Sequence, residues 1–156
     1  MSDNAVLSAR VGEIVAAHQG MEGALLPVLH AVQKAFGYVP QDAVPVLAEG
    51  LGLTRAEVHG VISFYHDFRE APAGRHVVRL CRAEACQAMG ADRLALAARE
   101  RLGLDWHETS ADGAVTLEPV FCLGLCACAP AAQVDGRLVG RLDEAKLAAI
   151  LAGVRG

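Results

Sequence analysis

Several features that mark particular protein classes are missing from this 156-residue sequence. No run of about 18 apolar residues is present, so a membrane-spanning helix is excluded. The first residues, MSDNAVLSARVGE, lack the basic stretch and apolar run of a secretory signal. Fourteen Lys and Arg against 18 Asp and Glu give a net charge of −4, which argues against nucleic-acid binding. We therefore expect a cytoplasmic protein without direct contact to membrane or nucleic acid.

Motifs for independent catalysis are also missing. Five cysteines are present, and this odd number fits poorly with a fully paired disulfide framework. No C-x2-C pair indicates a thioredoxin-type dithiol, and no G-x-G-x-x-G follows a strand to bind a dinucleotide. The six histidines are not paired with a nucleophile in any recognisable pattern. We expect no catalytic site within this chain.

Aromatic residues make up only 4% of the sequence, while 53% is hydrophobic, which indicates a folded core of Ala, Leu and Val. Residues 1–72 show helical periodicity in four segments, 4–18, 23–37, 41–52 and 54–66. Pro27 and Pro45 must then lie in the first turns of their helices. Thr54 and Glu57 have the spacing of a capping box. This half is predicted to be a helical domain.

The periodicity changes beyond the joint at residues 71–75, so residues 73–156 are predicted to form a second domain. A strand (76–80), a helix (91–103) and a strand (114–121) come first. A hairpin around Asp135-Gly136 and a helix over 143–154, capped by Asp143, follow. This order predicts an α/β fold with a right-handed β-α-β crossover, two parallel strands and an antiparallel hairpin in one small mixed sheet.

All five cysteines lie in two short segments that follow the two parallel strands. Cys81 and Cys86 are separated by four residues, and Cys122 and Cys126 by three. Because parallel strands end at the same edge of a sheet, the two pairs are expected to meet there. The spacing leaves three interpretations open. These are a [2Fe–2S] cluster, a four-cysteine zinc site in an assembly module without redox role, and cysteines that are buried or form disulfides.

The segment around the second pair is suited to holding a cluster. Gly124 can adopt backbone angles that turn N–H groups toward sulfur. Apolar neighbours are expected to keep water from the site: Leu123, Leu125, Ala127 and Ala129. Cys128, the fifth cysteine, is expected to pack as a small buried residue rather than bind metal. Among Phe64, Tyr65 and Phe68, at least one is expected in the core, with room for an exposed patch.

Three segments resemble a known family: EVHGVISFYHDFR (57–69), CRAEACQAMGAD (81–92) and VTLEPVFCLGLCACAPAAQVDGRLVGRLD (115–143). They are similar to the thioredoxin-like [2Fe–2S] subunits of NADH-linked oxidoreductases, over about residues 23–143. That family includes the small flavin-proximal subunit of respiratory complex I and the diaphorase subunit of NAD-linked hydrogenases. The sequences of these segments are most similar to the gamma subunits of molybdenum-containing, NAD-dependent formate dehydrogenases.

The resemblance implies a site, a cofactor and partners. Cys81, Cys86, Cys122 and Cys126 match the ligands of one [2Fe–2S] cluster, and Cys128 lies outside that set. The family architecture is a helical N-terminal part, which packs on a flavin-bearing partner, followed by a thioredoxin-like domain. FMN, NAD and the molybdenum cofactor are then expected on partner subunits, among them a formate dehydrogenase catalytic subunit. The implied role is electron transfer without catalysis.

Overall fold

The computed structural model describes residues 3–155, which form two compact units divided between Pro72 and Ala73. The first unit contains four helices: α1 (Asp3–Ala17), α2 (Leu25–Phe36), α3 (Ala43–Leu51) and α4 (Arg55–Phe64). Their core is aliphatic apart from Phe68 and includes Val11, Leu29 and Leu47. The four helical segments read from the sequence are confirmed to within a few residues at each end.

Local signals in the sequence fix where these helices begin. Pro27 and Pro45 are the third residues of α2 and α3, where a missing backbone N–H costs no helical hydrogen bond. Thr54 caps α4 in a complete capping box with Glu57. All three predictions are confirmed. Of the three aromatic residues near the end of this unit, Phe68 lies in the core, while Phe64 and Tyr65 are exposed.

The second unit is built on a four-stranded sheet with the order β2-β1-β3-β4. Its strands are β1 (His76–Cys81), β2 (Val115–Val120), β3 (Ala132–Val134) and β4 (Arg137–Val139). β1 pairs with β2 in parallel and with β3 in antiparallel orientation. The α/β crossover and the antiparallel hairpin are therefore both confirmed.

Three helices complete this unit: α5 (Glu84–Ala88), α6 (Ala91–Leu102) and α7 (Glu144–Arg155). One face of the sheet, which carries Val78 and Leu117, forms a core with Leu94 of α6 and Leu147 of α7. Asp143 accepts a hydrogen bond from the backbone N–H of Lys146 at 2.8 Å, so its predicted role as N-cap of α7 is confirmed. Within residues 3–155, no helix is both long and apolar enough to cross a membrane.

One element differs from the sequence-based expectation. The sequence predicts no helix between the strand at 76–80 and the helix at 91–103, but α5 occupies the middle of that segment. Five residues are too few to show a helical period in the sequence. Cys86 therefore lies on a helix, and Cys81 is the last residue of β1 rather than the first residue of a loop.

Candidate metal centre

The two cysteine-bearing segments leave the sheet side by side. Cys81 pairs in register with Val120, so β1 and β2 end at the same level. The backbone N–H of Arg82 donates to the carbonyl of Val120 at 2.7 Å, and that of Cys81 donates to Ala131 at 3.0 Å. These two bonds attach the first cysteine segment to the chain on both sides of the second. The predicted meeting of the two segments at one sheet edge is confirmed.

The first pair is the inner one. Cys81 is 3% exposed and Cys86 2%, and both pack with Ala91 and Ala131 in a small apolar cluster. Since α5 is short, its position depends on hydrogen bonds at its ends. The side-chain amide of Gln87 donates to the carbonyl of Arg82 at 2.7 Å. This bond fixes α5 against the end of β1 and so fixes Cys86 relative to Cys81.

The side chain of Arg82 anchors the same segment from the outside. Its guanidinium lies 5.5 Å from the centroid of the Trp106 ring and donates to Asp92 at 2.8 Å. Arg99 approaches the same ring at 5.9 Å. A cation over an indole face and a charge-assisted hydrogen bond both restrict the guanidinium. The residue after the first cysteine is thus held at both its backbone and its side chain.

The second pair is the outer one. Cys122 and Cys126 are exposed, in a bend whose Gly124 has a φ of 73°. In that left-handed conformation the N–H of Gly124 donates to the Cys122 sulfur at 3.3 Å, which confirms its predicted role. Leu123, Leu125 and Ala129 pack on the apolar cluster around Cys81 and Cys86. Ala127 was predicted to shield the site as well, but this is wrong, because Ala127 is exposed on the short 3₁₀ helix Cys126–Cys128.

Cys128 has a different environment. It is half-buried, and its N–H donates to the carbonyl of Leu125 at 2.8 Å, while its own carbonyl accepts from Arg141. A methyl group placed on Gly140 would lie 2.8 Å from the Cβ of Cys128, so this glycine leaves no free space beside it. Cys128 was expected to be buried, but the structure places it half-buried, and its exclusion from the ligand set stays a prediction.

The surroundings of the Cys86 thiol disfavour its ionisation. Burial raises the pKa of the Cys86 thiol, and the neighbouring sulfurs of Cys81 and Cys126 raise it further. Crowded thiols resist ionisation because thiolates repel one another in a desolvated site. Metal coordination supplies the missing positive charge and deprotonates such thiols. The fourth sulfur, that of Cys122, faces outward, and its described hydrogen bond runs to Gly124.

The donor set fits a [2Fe–2S] cluster. All five cysteines are free, and the two segments that carry them follow the neighbouring ends of β1 and β2. A [2Fe–2S] cluster needs four thiolates, two for each iron, and N–H groups directed at sulfur tune its potential. Within residues 3–155, no group of three or more His, Cys, Asp or Glu side chains is arranged to hold one metal ion. A [2Fe–2S] cluster does not need such a group, because each of its irons takes only two protein thiolates, whereas a single metal ion needs three or four protein ligands.

A comparison with protein-family models identifies the chain. Residues 11–155 match the model of the thioredoxin-like [2Fe–2S] ferredoxins. The chain belongs to this family. Ferredoxins of this kind transfer electrons, and the resemblance recognised in the sequence segments is thereby confirmed at the level of the family.

Named relatives of this ferredoxin are components of larger oxidoreductases. HndA, a subunit of the NADP-reducing hydrogenase of Solidesulfovibrio fructosivorans, is 34% identical over 131 residues, which are 84% of this chain and 77% of HndA. One component of the NADH-quinone oxidoreductase of Pseudomonas aeruginosa is 37% identical over 118 residues, which are 76% of this chain and 71% of that component. Subunit 2 of the NADH-quinone oxidoreductase of Thermus thermophilus is 35% identical over 138 residues, which are 88% of this chain and 76% of that subunit.

A solved structure shares the fold of this ferredoxin. It is the NAD+-reducing [NiFe]-hydrogenase in its air-oxidised state, with a TM-score of 0.72 and 26% identity. The match covers 85% of this chain but only 23% of the hydrogenase chain. The relatives thus include quinone oxidoreductases and hydrogenases.

Sequence reasoning missed the residues that position the inner pair. Arg82 and Gln87 act through a cation–π contact, an ion pair and a side-chain bond to a backbone carbonyl. The partners Trp106 and Asp92 lie 24 and 10 residues from Arg82 along the chain. No short-range pattern marks such pairs, so only the folded structure reveals them.

Proposed function

We propose that this ferredoxin holds one [2Fe–2S] cluster through Cys81, Cys86, Cys122 and Cys126 and carries single electrons within an NAD-linked dehydrogenase complex. The observation that supports it most is the arrangement of the two cysteine pairs at the adjacent ends of β1 and β2, in a chain of this family. The cluster would supply one-electron redox chemistry. The chain itself makes and breaks no substrate bond.

Each side of the site has a distinct task in this proposal. The inner thiolates of Cys81 and Cys86 hold the cluster in the apolar part of the site. The outer thiolates of Cys122 and Cys126 are exposed, so the redox group of a partner comes nearest on their side. Gly124 directs an N–H at the Cys122 sulfur, which favours added negative charge.

The partners follow from the relatives. We propose a flavin- and NADH-binding subunit as the neighbour, with FMN and NAD bound there and the whole assembly in the cytoplasm. The unit Met1–Pro72 would be the helical domain that packs on this neighbour, and Ala73–Gly156 the cluster domain. The chain would thus be one subunit of a hetero-oligomer with no catalytic site of its own.

The parent enzyme is the finer part of the proposal. We propose that the chain is the gamma subunit of an NAD-dependent formate dehydrogenase, because the segments CRAEACQAMG and CLGLCACAP resemble those subunits in sequence. The molybdenum cofactor would then belong to a separate catalytic subunit. The named relatives favour a second candidate, the equivalent subunit of complex I or of an NAD-linked hydrogenase.

Affinity purification of the tagged chain from its native host, with identification of the co-purifying chains and their metals, tests the assignment. We expect a flavin-containing chain and a molybdenum-containing chain in stoichiometric amounts. A nickel-containing partner or a large membrane assembly would instead support the second candidate. Recovery of the chain without any flavoprotein would contradict both.

A further inference from the structure

A largely buried ion pair lies beside the candidate cluster site on the same face of the sheet. Arg79 and Glu118 are paired in register across β1 and β2, two residues before the Cys81–Val120 pair. The Arg79 Nε donates to the Glu118 carboxylate at 2.8 Å, and the side chains are 26% and 11% exposed. A second guanidinium nitrogen donates to Gln133 of β3 at 3.1 Å. A row of three hydrogen-bonded polar side chains, two of them charged, thus crosses three strands.

The row lies within electrostatic reach of the site. Residues two apart on a strand point to the same face and are about 7 Å apart. Arg79 therefore shares its face with Cys81 at that spacing. The Debye length is about 8 Å at physiological ionic strength, and partly buried charges are screened less than exposed ones. A change of one charge in this row would therefore alter the electrostatic potential at the candidate site.

Stability alone does not account for the pair. Burying two charges costs several kcal/mol per ion, and well-packed apolar residues often stabilise a fold equally well. The opposite face of this sheet is apolar and packs on α6 and α7. Beside a group whose charge changes by one on each electron transfer, however, fixed charges set the energy of that change.

We propose that the Arg79–Glu118 pair sets the reduction potential of the cluster, with Arg79 favouring and Glu118 opposing the reduced state. Both are positioning charges rather than ligands. Their hydrogen bonds across β1, β2 and β3 hold each charge at a fixed distance from Cys81. This inference rests on the proposed cluster ligation.

The test is a redox titration of the full-length, anaerobically reconstituted protein, in which the EPR signal of the reduced cluster is measured at each potential. Glu118→Gln keeps an oxygen that can accept from Arg79 but removes one negative charge, so the midpoint potential rises. We expect an increase of about threefold in the equilibrium constant for reduction, or about 28 mV at 59 mV per tenfold. Arg79→Gln lowers the potential by a similar amount, and Arg79→Lys, which keeps the charge, leaves it at the wild-type value.

Glu144→Gln is the matched control. It removes the same charge from an ion pair with Arg93 at 3.3 Å, but on α7 and with side chains 79% and 58% exposed for Arg93 and Glu144. Its potential should equal that of the wild type. An unchanged potential in Glu118→Gln, or equal shifts in Glu118→Gln and Glu144→Gln, would overturn the proposal.

The proposal can also be tested if one of the variants loses its cluster. If Glu118→Gln does not retain iron, the comparison of Arg79→Lys with Arg79→Gln decides the question. Loss of the cluster in Arg79→Lys as well would show a purely structural role and refute the tuning role. A wild-type protein that binds no iron and sulfide would instead overturn the proposed function, which the metal analysis of the wild type detects separately.

Discussion

At the scale of single residues, the four candidate ligands form two unlike pairs. Cys81 and Cys86 are buried because each belongs to a regular element that packs at the sheet edge. Cys122 and Cys126 are exposed because they lie in a bend and a short 3₁₀ helix, outside the strands and α-helices of the unit. The difference in burial between the two pairs is thus caused by the secondary structure that carries them. In the sequence alone the two pairs look alike.

Replacement of each cysteine separates ligands from packing residues. We expect Cys81→Ser, Cys86→Ser, Cys122→Ser and Cys126→Ser each to lose most of the bound iron, because each removes one of four thiolates. Cys128→Ala should retain it, since Cys128 packs beside Gly140. Iron per chain after anaerobic reconstitution measures this. An equal loss in Cys128→Ala would contradict the ligand set.

Gly140 is predicted to be intolerant of any side chain. In Gly140→Ala the new methyl group would lie 2.8 Å from the Cβ and 3.2 Å from the carbonyl oxygen of Cys128, neither of which can rotate away. Such overpacking costs about 1–3 kcal/mol, and we expect a matching fall in the free energy of unfolding. The shift of Cys128 should also reduce iron retention at Cys126.

Gly153→Ala provides the control for this prediction. Gly153 lies in α7, and apart from its chain neighbours and the backbone of its own helix no described atom lies within 4 Å of the position its methyl group would take. Alanine in a helix is favoured over glycine by up to about 1 kcal/mol, so this variant should be as stable as the wild type or more stable. If denaturant unfolding shows equal losses for both variants, the contact with Cys128 is not the cause.

At the scale of elements, helix α4 depends on its N-terminal cap. The Thr54 hydroxyl accepts from the N–H of Glu57 at 3.2 Å, and the N–H and hydroxyl of Thr54 donate to the Glu57 carboxylate at 2.8 Å. We expect Thr54→Ala to lower the free energy of unfolding by about 1 kcal/mol. Thr54→Ser, which keeps the hydroxyl, should lose much less, and urea unfolding compares the two. Equal losses would assign the effect to the methyl group.

The same cap should make stability depend on pH. Hydrogen bonds from the backbone N–H and then the hydroxyl of Thr54 hold the pKa of Glu57 below its usual 4.5. A carboxyl whose pKa is lower when folded stabilises the fold above its unfolded pKa and loses that effect as the pH falls through the folded pKa. The difference in unfolding free energy between wild type and Glu57→Gln should therefore be largest near neutral pH and shrink below about pH 4.5. A constant difference would contradict this.

Elements that carry their own periodicity or cap could be predicted from the sequence. The four N-terminal helices, the crossover and the Asp135-Gly136 hairpin each have a local signal several residues long. Helix α5 has five residues and no such signal, so the position of Cys86 on a helix was missed. The exposure of Ala127 and the contact of Arg82 with Trp106 depend on residues distant in sequence, which no local pattern encodes.

At the scale of the whole molecule, the family match and the relatives indicate an electron-transfer subunit of a larger oxidoreductase. Residues 11–155 match a ferredoxin family, the sequence contains no dinucleotide fingerprint, and the relatives are named as subunits of multi-subunit oxidoreductases. In the proposed function, the substrate chemistry takes place on other chains of the complex. In the proposed site, four thiolates from two distant segments hold one cluster.

Spin quantification of the full-length protein after anaerobic reconstitution and reduction tests this claim most directly. We predict an S = 1/2 EPR signal that integrates to about one spin per chain, with about two irons and two acid-labile sulfides per chain. A colourless protein that holds one zinc per chain, has no acid-labile sulfide and gives no signal on reduction would contradict the account.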